Sequence, residues 1–236
     1  MRILAACFFL CLFYSGTPAP NSLEELMELH KKAVNADALA QAKSVRKVGM
    51  MTFGTNQVPF TSYQQGNNFR LEQRFGGLNM FSVLNEEGAW KLNPWDNNKI
   101  EKLGGGELRK LKELSMSGGV LIDGERFGYT ASLKEEDAAK DHPVVHVDCG
   151  NNAYYKVHLN PETYLIDKTI FHQSADGRNT KVELIIKEYS EFGKVQFPSE
   201  VREFFQGEAL ASYSIISIDT RLDLDLKLFK TPDGGE

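Results

Sequence analysis

The stretch "AYYKVHLNPETYLIDKTIFHQ", residues 153–173, predicts two antiparallel strands joined by a turn. In its first half, apolar and polar side chains alternate strictly, which is typical of a strand with one buried and one solvated face. Asn160-Pro161 then interrupts the alternation with residues that favour a tight turn. The apolar face holds Ala153, Tyr155, Val157 and Leu159, and the polar face holds Tyr154, Lys156 and His158.

The same period of two recurs from Ser44 to the end of the chain, with turn residues between short runs. In residues 69–75, for example, Phe69, Leu71 and Phe75 share one face, and Arg70, Glu72 and Arg74 share the other. About ten such runs follow one another, which predicts an antiparallel meander with one apolar face. We therefore expect a mainly β fold.

Two helical segments accompany the predicted sheet. Ser22 with Glu25 three residues later is a capping box, and the apolar spacing that follows predicts an amphipathic helix from Leu23 to about Ala42. His30 lies on the apolar stripe, where we expect a packed side chain. After Gly104–Gly106, leucines at three-residue spacing predict a short basic helix; they are Leu108, Leu111 and Leu114. Two helices are too few to cover a large apolar sheet face. The sheet therefore either closes into a barrel with a fully packed core or leaves part of its apolar face available to a ligand.

The N-terminal segment has the pattern of a secretory signal peptide, since Arg2 precedes an apolar run from Ile3 to Tyr14 and small residues follow. The run is too short to span a bilayer, and we expect cleavage between Ser15 and Ala19. Leu4–Cys7 has the letters of a lipoprotein cleavage box, but the apolar run follows the cysteine instead of preceding it, which disfavours a lipid anchor. We expect a signal peptide over 1–19 and a single domain over 20–236.

Charge and motifs argue against several functions. The 27 basic and 32 acidic residues give a net charge of −5, and no basic stripe favours nucleic acid. The sequence contains no HExxH, Gly-x-Ser-x-Gly, phosphate loop or Cys-x-x-Cys motif. The best candidate for a metal site is a set of polar residues that could bind zinc, namely His142, His146 and Asp148, with His158 on the next strand. A solvated polar strand face explains the same residues equally well. Cys149 follows the apolar parity of its run, which favours a buried, unreactive thiol. We expect neither an enzyme nor a cofactor.

Several stretches, in order along the chain, resemble the bacterial outer-membrane lipoprotein carrier and receptor superfamily, the LolA/LolB-like proteins. "GAWKLNPW" at residues 88–95 resembles the family's Gly-x-Trp-x-x-x-Pro strand and turn, and "NNFRLE" resembles its arginine-bearing strand at Arg70. The remaining matches fall at Pro161, Thr163, Leu165, Gly193, Phe197 and Pro198, and in the closing "LKLFKTP". The helix around His30 is similar to periplasmic lipoprotein-sorting-like variants.

This resemblance implies an incomplete antiparallel barrel whose concave face is covered by the two helices. It implies a periplasmic, non-enzymatic carrier that holds lipid acyl chains or a lipoprotein and exchanges them with an envelope protein, and we expect a monomer. It places Trp90 and Leu92 on the inner face and Trp95 at the rim. The expected cavity residues are Trp90, Leu92, Phe69, Leu71, Phe75, Leu108, Leu111 and Leu114. The alternative is an envelope sensor or protein-interaction module with a dry core.

A carrier must also release its cargo, and the short basic helix is our candidate for a movable lid. In this hypothesis Gly104, Gly105 and Gly106 form its hinge. Arg70 would stabilise the closed form by pairing with a lid or rim carboxylate.

Overall fold

The computed structural model describes residue 20 and residues 22–134, 142–175 and 178–231 of the 236-residue chain. The predicted signal peptide, residues 1–19, lies outside the described residues. Among the helices that are described, none has the length and apolar character needed to cross a membrane.

The N-terminal helical region consists of two helices instead of the predicted one. Helix α1, Leu23–Val34, begins as predicted, because the Ser22 hydroxyl accepts a hydrogen bond from the Glu25 backbone N–H at 3.1 Å. It ends at Asn35, whose φ of 56° is left-handed, and α2 then spans Ala36–Ala40. The Asn35 side chain donates to the carbonyl of Lys194 at 2.7 Å. The continuous helix to Ala42 is therefore wrong: a tertiary contact and a left-handed residue bend the chain onto the sheet.

The strands form a single antiparallel sheet in the part of the chain that is described. The first six are β1 Val45–Phe53, β2 Asn56–Gln65, β3 Asn68–Phe75, β4 Leu78–Asn85, β5 Gly88–Asn93 and β6 Lys99–Lys102. The other seven are β7 Thr130–Leu133, β8 Val144–Gly150, β9 Ala153–Leu159, β10 Ile166–Ala175, β11 Arg178–Phe192, β12 Val195–Phe205 and β13 Glu208–Asp219.

The strand order is β6-β5-β4-β3-β2-β1-β13-β12-β11-β10-β9-β8-β7. Every neighbouring pair is adjacent in sequence except β1 and β13, which join the first and last strands. The two free edges are therefore β6 and β7, which are also consecutive along the chain. The segment between them contains helix α3, Gly105–Ser115, helix α4, Val120–Asp123, and a 3-10 turn, Gly124–Phe127.

Two buried clusters lie on the concave face of this sheet. The first joins α1 and α4 to β8–β11 and includes Leu26, Leu121, Val157 and Leu159. The second joins α3 to β1–β5 and includes Phe69, Leu84, Ala89 and Leu111. Phe127 packs against both clusters. The sheet is curved and open with helices over its inner face, which confirms the predicted half-barrel.

The outer face near β3 and β4 is covered by the C-terminal segment. A 3-10 turn, Leu226–Phe229, lies there, and Phe229 is 2% exposed. The Asn85 amide donates to the Phe229 carbonyl at 3.0 Å. This part of the sheet therefore has apolar contacts on both faces.

Gly49 on β1 tests the fold, because the chain there leaves no room for a side chain. A Cβ at Gly49 would overlap the Ser214 carbonyl oxygen and lie 2.6 Å from the Phe60 ring. Since backbone cannot move aside as a flexible side chain does, we expect Gly49→Ala to lower the free energy of unfolding by at least about 2 kcal/mol in urea denaturation.

Gly106→Ala is the matched control, because no atom lies within 4 Å of an added Cβ at Gly106. Alanine is a better helix former than glycine, so we expect stability to stay equal or to rise by up to about 1 kcal/mol. Equal stability of the two variants would contradict the close approach of β1 and β13.

Candidate functional site

A cavity of about 220 Å³ lies between the centre of the sheet and the helices. We call it the central cavity. Most of its floor is formed by aliphatic side chains of β11, β12 and β13, strands that the sequence patterns placed late in the meander. Floor residues are Leu184, Ile186, Val201, Ile215 and Ile218.

Helices and the link between them form the roof of the central cavity. Val34 of α1 and Leu39 of α2 line it on one side, and Leu114 of α3 lines it on another. Residues 116–119, which link α3 to α4, and Val120 at the start of α4 complete the roof. The cavity thus lies where the two buried clusters approach each other without filling the space.

Three of the predicted cavity residues line the central cavity: Phe69, Leu71 and Leu114. Leu111 is buried, and it packs with Leu108 in the cluster between α3 and the first strands, not at the cavity wall. Phe75 is 37% exposed, and its ring lies 6.0 Å from that of Trp95, which is 56% exposed at the end of the sheet. The leucine stripe is therefore an anchor for α3, with Leu114 as its cavity-facing end.

The inward orientation of Trp90 and Leu92 is wrong. Their neighbour Ala89 belongs to the inner cluster, and Lys91 forms ion pairs with Glu107 of α3 at 2.7 Å and with Glu101. Because side chains alternate along a strand, Trp90 and Leu92 face the outer side of β5. Trp90 pairs there with Val83, on the same outer face.

Arg70 also lies on the outer face, so its predicted pairing with a lid or rim carboxylate is wrong; its carboxylate partner is Glu72 of the same strand. Its Nε donates to Glu72 Oε1 at 2.7 Å, its Nη1 donates to the Leu228 carbonyl at 3.3 Å, and the guanidinium lies 4.0 Å from the centre of the Phe81 ring. Arg70 therefore holds the C-terminal segment against β3 and β4.

The predicted hinge glycines lie at the start of α3. Gly104 precedes the helix, Gly105 has a φ of 51°, and all three of Gly104–Gly106 are exposed. The N-terminal end of α3 therefore makes few buried contacts, and a rotation of the helix about this point would break few of them.

The rest of α3 is held to the sheet by charges in largely apolar surroundings. The Lys110 ammonium pairs with the Glu203 carboxylate on β12, and the Tyr213 hydroxyl donates to the same carboxylate. Glu203 is 3% exposed, so these contacts compensate a buried negative charge. Burial, followed by the Glu203 charge, raises the pKa of Tyr213, which keeps its phenol protonated and able to donate.

A second buried carboxylate, Glu113, links α3 to β9. Its Oε1 accepts from the Arg109 guanidinium and from the Tyr155 hydroxyl, the latter at 2.8 Å. Its Oε2 has no hydrogen-bond partner among the described residues. Burial, followed by the Glu113 charge, raises the pKa of Tyr155. Helix α3 thus has one polar anchor on each half of the sheet.

His30 is 1% exposed and lines the central cavity. Its Nδ1 lies 2.9 Å from the Tyr164 carbonyl, a geometry in which Nδ1 carries the proton and donates. Its Nε2 has no partner in the described part of the chain. Burial lowers the pKa of His30, so the ring is neutral at pH 7. The expected packing role is what the structure shows.

Lys47 is a charged cavity residue that the sequence patterns did not identify. It is partly buried on β1 and lines the central cavity, with its Nζ 5.4 Å from the centre of the Phe197 ring. Burial lowers the pKa of Lys47 to about 8. The sequence did contain one indication of this position. Lys47 is separated by an even number of residues from the buried residues Val45 and Met51 of β1, and side chains at such a spacing lie on the same face of a strand.

The histidines considered for a metal are dispersed. His142 is exposed, His146 is buried beside Tyr154 with ring centres 6.3 Å apart, and Asp148 caps the Gly150 backbone N–H at 2.8 Å. Within the described ranges, no group of three His, Cys, Asp or Glu side chains is arranged to hold a metal ion. Burial raises the pKa of Cys149 to about 12, so its thiol is protonated and unreactive at pH 7.

Comparison with known proteins matches no family model and no curated protein sequence. Solved structures do match. A LolA superfamily protein from Nitrosomonas europaea superposes with a TM-score of 0.62 at 10% identity, covering 89% of this chain and 98% of that chain. A DUF1329 family protein from Desulfovibrio piger gives 0.61 at 10% identity, with the same two coverages of 89% and 98%.

A putative outer membrane lipoprotein-sorting protein domain from Vibrio parahaemolyticus gives a TM-score of 0.56 at 11% identity, over 87% of this chain and 96% of that chain. At such low identities the likeness concerns the fold alone. Together with the curved open sheet and its overlying helices, it shows that this chain has the LolA/LolB-like fold.

Proposed function

We propose that this protein is a non-enzymatic carrier of the cell envelope that holds a lipid acyl chain, free or attached to a lipoprotein, in the central cavity. The observation that carries the proposal is the cavity itself, a space of about 220 Å³ bounded mainly by aliphatic and aromatic side chains. Water finds few hydrogen-bond partners in an apolar cavity, so a cavity of this kind favours a hydrocarbon chain over water.

The cavity volume sets the amount of hydrocarbon that is enclosed. A cavity of about 150 Å³ accepts benzene, so the space here suits roughly eight carbons of a chain. At about 0.8 kcal/mol for each methylene, eight carbons contribute about 6 kcal/mol, which corresponds to dissociation constants between about 1 mM and 1 μM. A complete sixteen-carbon chain would contribute about 12 kcal/mol and would leave very slowly. Partial enclosure therefore suits a carrier, and a longer chain requires movement of α3.

Helix α3 is the element we propose to move. Its start at Gly104–Gly106 is exposed, whereas Lys110 and Glu113 attach its middle to opposite halves of the sheet. If α3 moves away from the sheet by pivoting at Gly104–Gly106, the Lys110–Glu203 ion pair must separate before the ligand can leave. The cost of leaving Glu203 buried without its cation then keeps the closed form populated.

The cellular setting belongs to the same proposal. Residues 1–19 would direct export to the periplasm and be removed, leaving residues 20–236 as one monomeric domain. Cargo would be received from one envelope component and passed to another. The LolA/LolB-like fold supports this setting, since one structural neighbour is described as a lipoprotein-sorting domain.

Filling the central cavity should weaken binding of a fluorescent polyene fatty acid. We expect Leu184→Trp, which adds volume inside the cavity, to weaken binding at least tenfold in a fluorescence titration. Ile185→Trp is the matched control, because the next residue of β11 faces the outer side and should leave binding unchanged. Equal effects of the two substitutions would contradict a ligand in this cavity.

Native mass spectrometry of the protein purified from the envelope provides an independent measurement. Co-purified lipid that is lost in Leu184→Trp supports the carrier. Lipid-free protein, together with no fatty-acid binding by the wild type, would instead favour the envelope sensor or protein-interaction module of the same fold.

Removing the Lys110 ammonium should loosen α3. We expect Lys110→Met to lower the free energy of unfolding by about 2 kcal/mol, because the Glu203 carboxylate stays buried without a cation. The bound fatty acid should also dissociate faster in stopped-flow displacement. Adding Glu203→Gln should restore much of the stability, because the amide oxygen still accepts from Tyr213 and no buried charge remains.

Lys91→Met is the control for this experiment, because Lys91 also joins the sheet to α3 but pairs with Glu107, whose side chain is 61% exposed. Exposed pairs contribute little, so we expect a change below about 0.5 kcal/mol. Wild-type stability and dissociation rate in Lys110→Met would contradict the proposed role of the Lys110–Glu203 pair.

A further inference from the structure

Lys47 places a positive charge against the apolar wall of the central cavity. In the sheet it lies directly opposite Ser62 of β2 and Ile218 of β13, and all three residues line the cavity. The side chain extends across β13 to the Phe197 ring of β12. A lysine that only needed solvent would instead occupy an outer-face position of the same strand, as Arg46 does.

The Lys47 ammonium is unpaired, which distinguishes it from the other charges beneath the helices. Lys110 has Glu203, Arg109 has Glu113, and Arg126 donates to Ser115. Lys47 forms no ion pair or hydrogen bond with any described residue. Ser62, which is 5% exposed, likewise has no hydrogen-bond partner for its hydroxyl in the described part of the chain. Two adjacent donors therefore face the cavity without acceptors.

This pair of donors is separate from the α3 anchor. Tyr213, which contacts Glu203, is opposite Met51 on β1, four residues beyond Lys47. At about 3.3 Å per residue, the two positions are roughly 13 Å apart along the strands. The central cavity is therefore lined by aliphatic side chains along most of its length and has a cation near one end. This arrangement is complementary to an amphiphile that has an alkyl chain and an anionic headgroup.

We propose that Lys47, assisted by the Ser62 hydroxyl, binds the oxyanion of a single-chain anionic amphiphile whose alkyl chain occupies the central cavity. This inference rests on the proposed function and adds the chemical class of the ligand. A carboxylate and a phosphate share the required chemistry, a compact negative charge that accepts from an ammonium and a hydroxyl. A neutral alcohol of equal chain length has the same apolar contacts without the ion pair.

Among the cavity groups whose pKa is shifted, Lys47 is the one that changes charge between pH 7 and pH 10. Asp123 and Arg126 act on it from the α4 region, while the cavity also contains His30, Lys110, Glu113 and the phenols of Tyr155, Tyr189 and Tyr213. His30 is already neutral, and burial raises the pKa of all three phenols. With its pKa near 8, Lys47 in the free protein loses its charge as the pH rises through this interval.

Calorimetric titration of the intact protein with decanoate, decyl phosphate and 1-decanol tests the inference. At pH 7 we expect the wild type to bind at least one of the two anions about tenfold more tightly than decanol, and the preference to shrink by pH 10. In Lys47→Met the preference should disappear while decanol binding persists. A preference for one anion alone identifies the headgroup.

The outcomes separate the two proposals. If no probe binds the wild type, the carrier proposal fails and this inference fails with it. If decanol binds as tightly as both anions, or if Lys47→Met keeps the preference, the carrier proposal stands and the role of Lys47 is overturned.

Thermal unfolding shows whether the Lys47 variant is folded and provides a second readout. Methionine removes an unpaired charge from apolar surroundings, so we expect Lys47→Met to melt about 3 °C higher than the wild type without ligand. The anion that is preferred should raise the melting temperature of the wild type more than that of the variant. A variant that melts lower and gains equally from the anion would contradict the proposal.

Discussion

Pairing of β1 with β13 is the constraint on which the rest of the structure depends. It joins the two ends of the meander at the centre of the sheet and leaves β6 and β7 as the free edges. These strands are consecutive in the chain, so the residues between them must pass from one edge of the curved sheet to the other. Helices α3 and α4 lie on that path. Because α1 and α2 approach from the other terminus, the helices meet above the central strands and leave the central cavity between two separately packed clusters.

Charges beneath α3 divide into two kinds. Glu203 and Glu113 are buried and have cationic or phenolic partners, so they hold the helix in one position without leaving an uncompensated charge. Lys47 has no carboxylate or hydrogen-bond partner among the described residues, and burial lowers its pKa to about 8. A protein selected only for stability would place an apolar side chain there. An uncompensated charge in an apolar cavity is instead characteristic of a site whose partner is a ligand.

Sequence patterns predicted the positions of the strands better than they predicted the contacts between strands and the rest of the chain. The alternation in residues 69–75 correctly placed Phe69 and Leu71 on the inner face. Trp90 was assigned inward from the family resemblance, but the register of β5 with β4 puts Ala89 inside. A large apolar side chain can also be accommodated on the outer face of this sheet, because the C-terminal segment covers that face near β3 and β4. That cover also explains Arg70, which binds Glu72 of its own strand and also donates to the Leu228 carbonyl, 158 positions away.

The sequence by itself determined most of the strands, about ten of the thirteen, together with the start of the capped helix and the apolar faces of strands such as β3 and β9, because these depend on neighbours a few residues apart. Only the tertiary structure decided that α1 ends at Asn35, that α3 is anchored through Glu203 and Glu113, and that Lys47 faces the cavity unpaired. Those features depend on the β1–β13 pairing and on contacts between segments distant in the chain. A pattern of local periodicity contains no information about which distant face a strand or helix will meet.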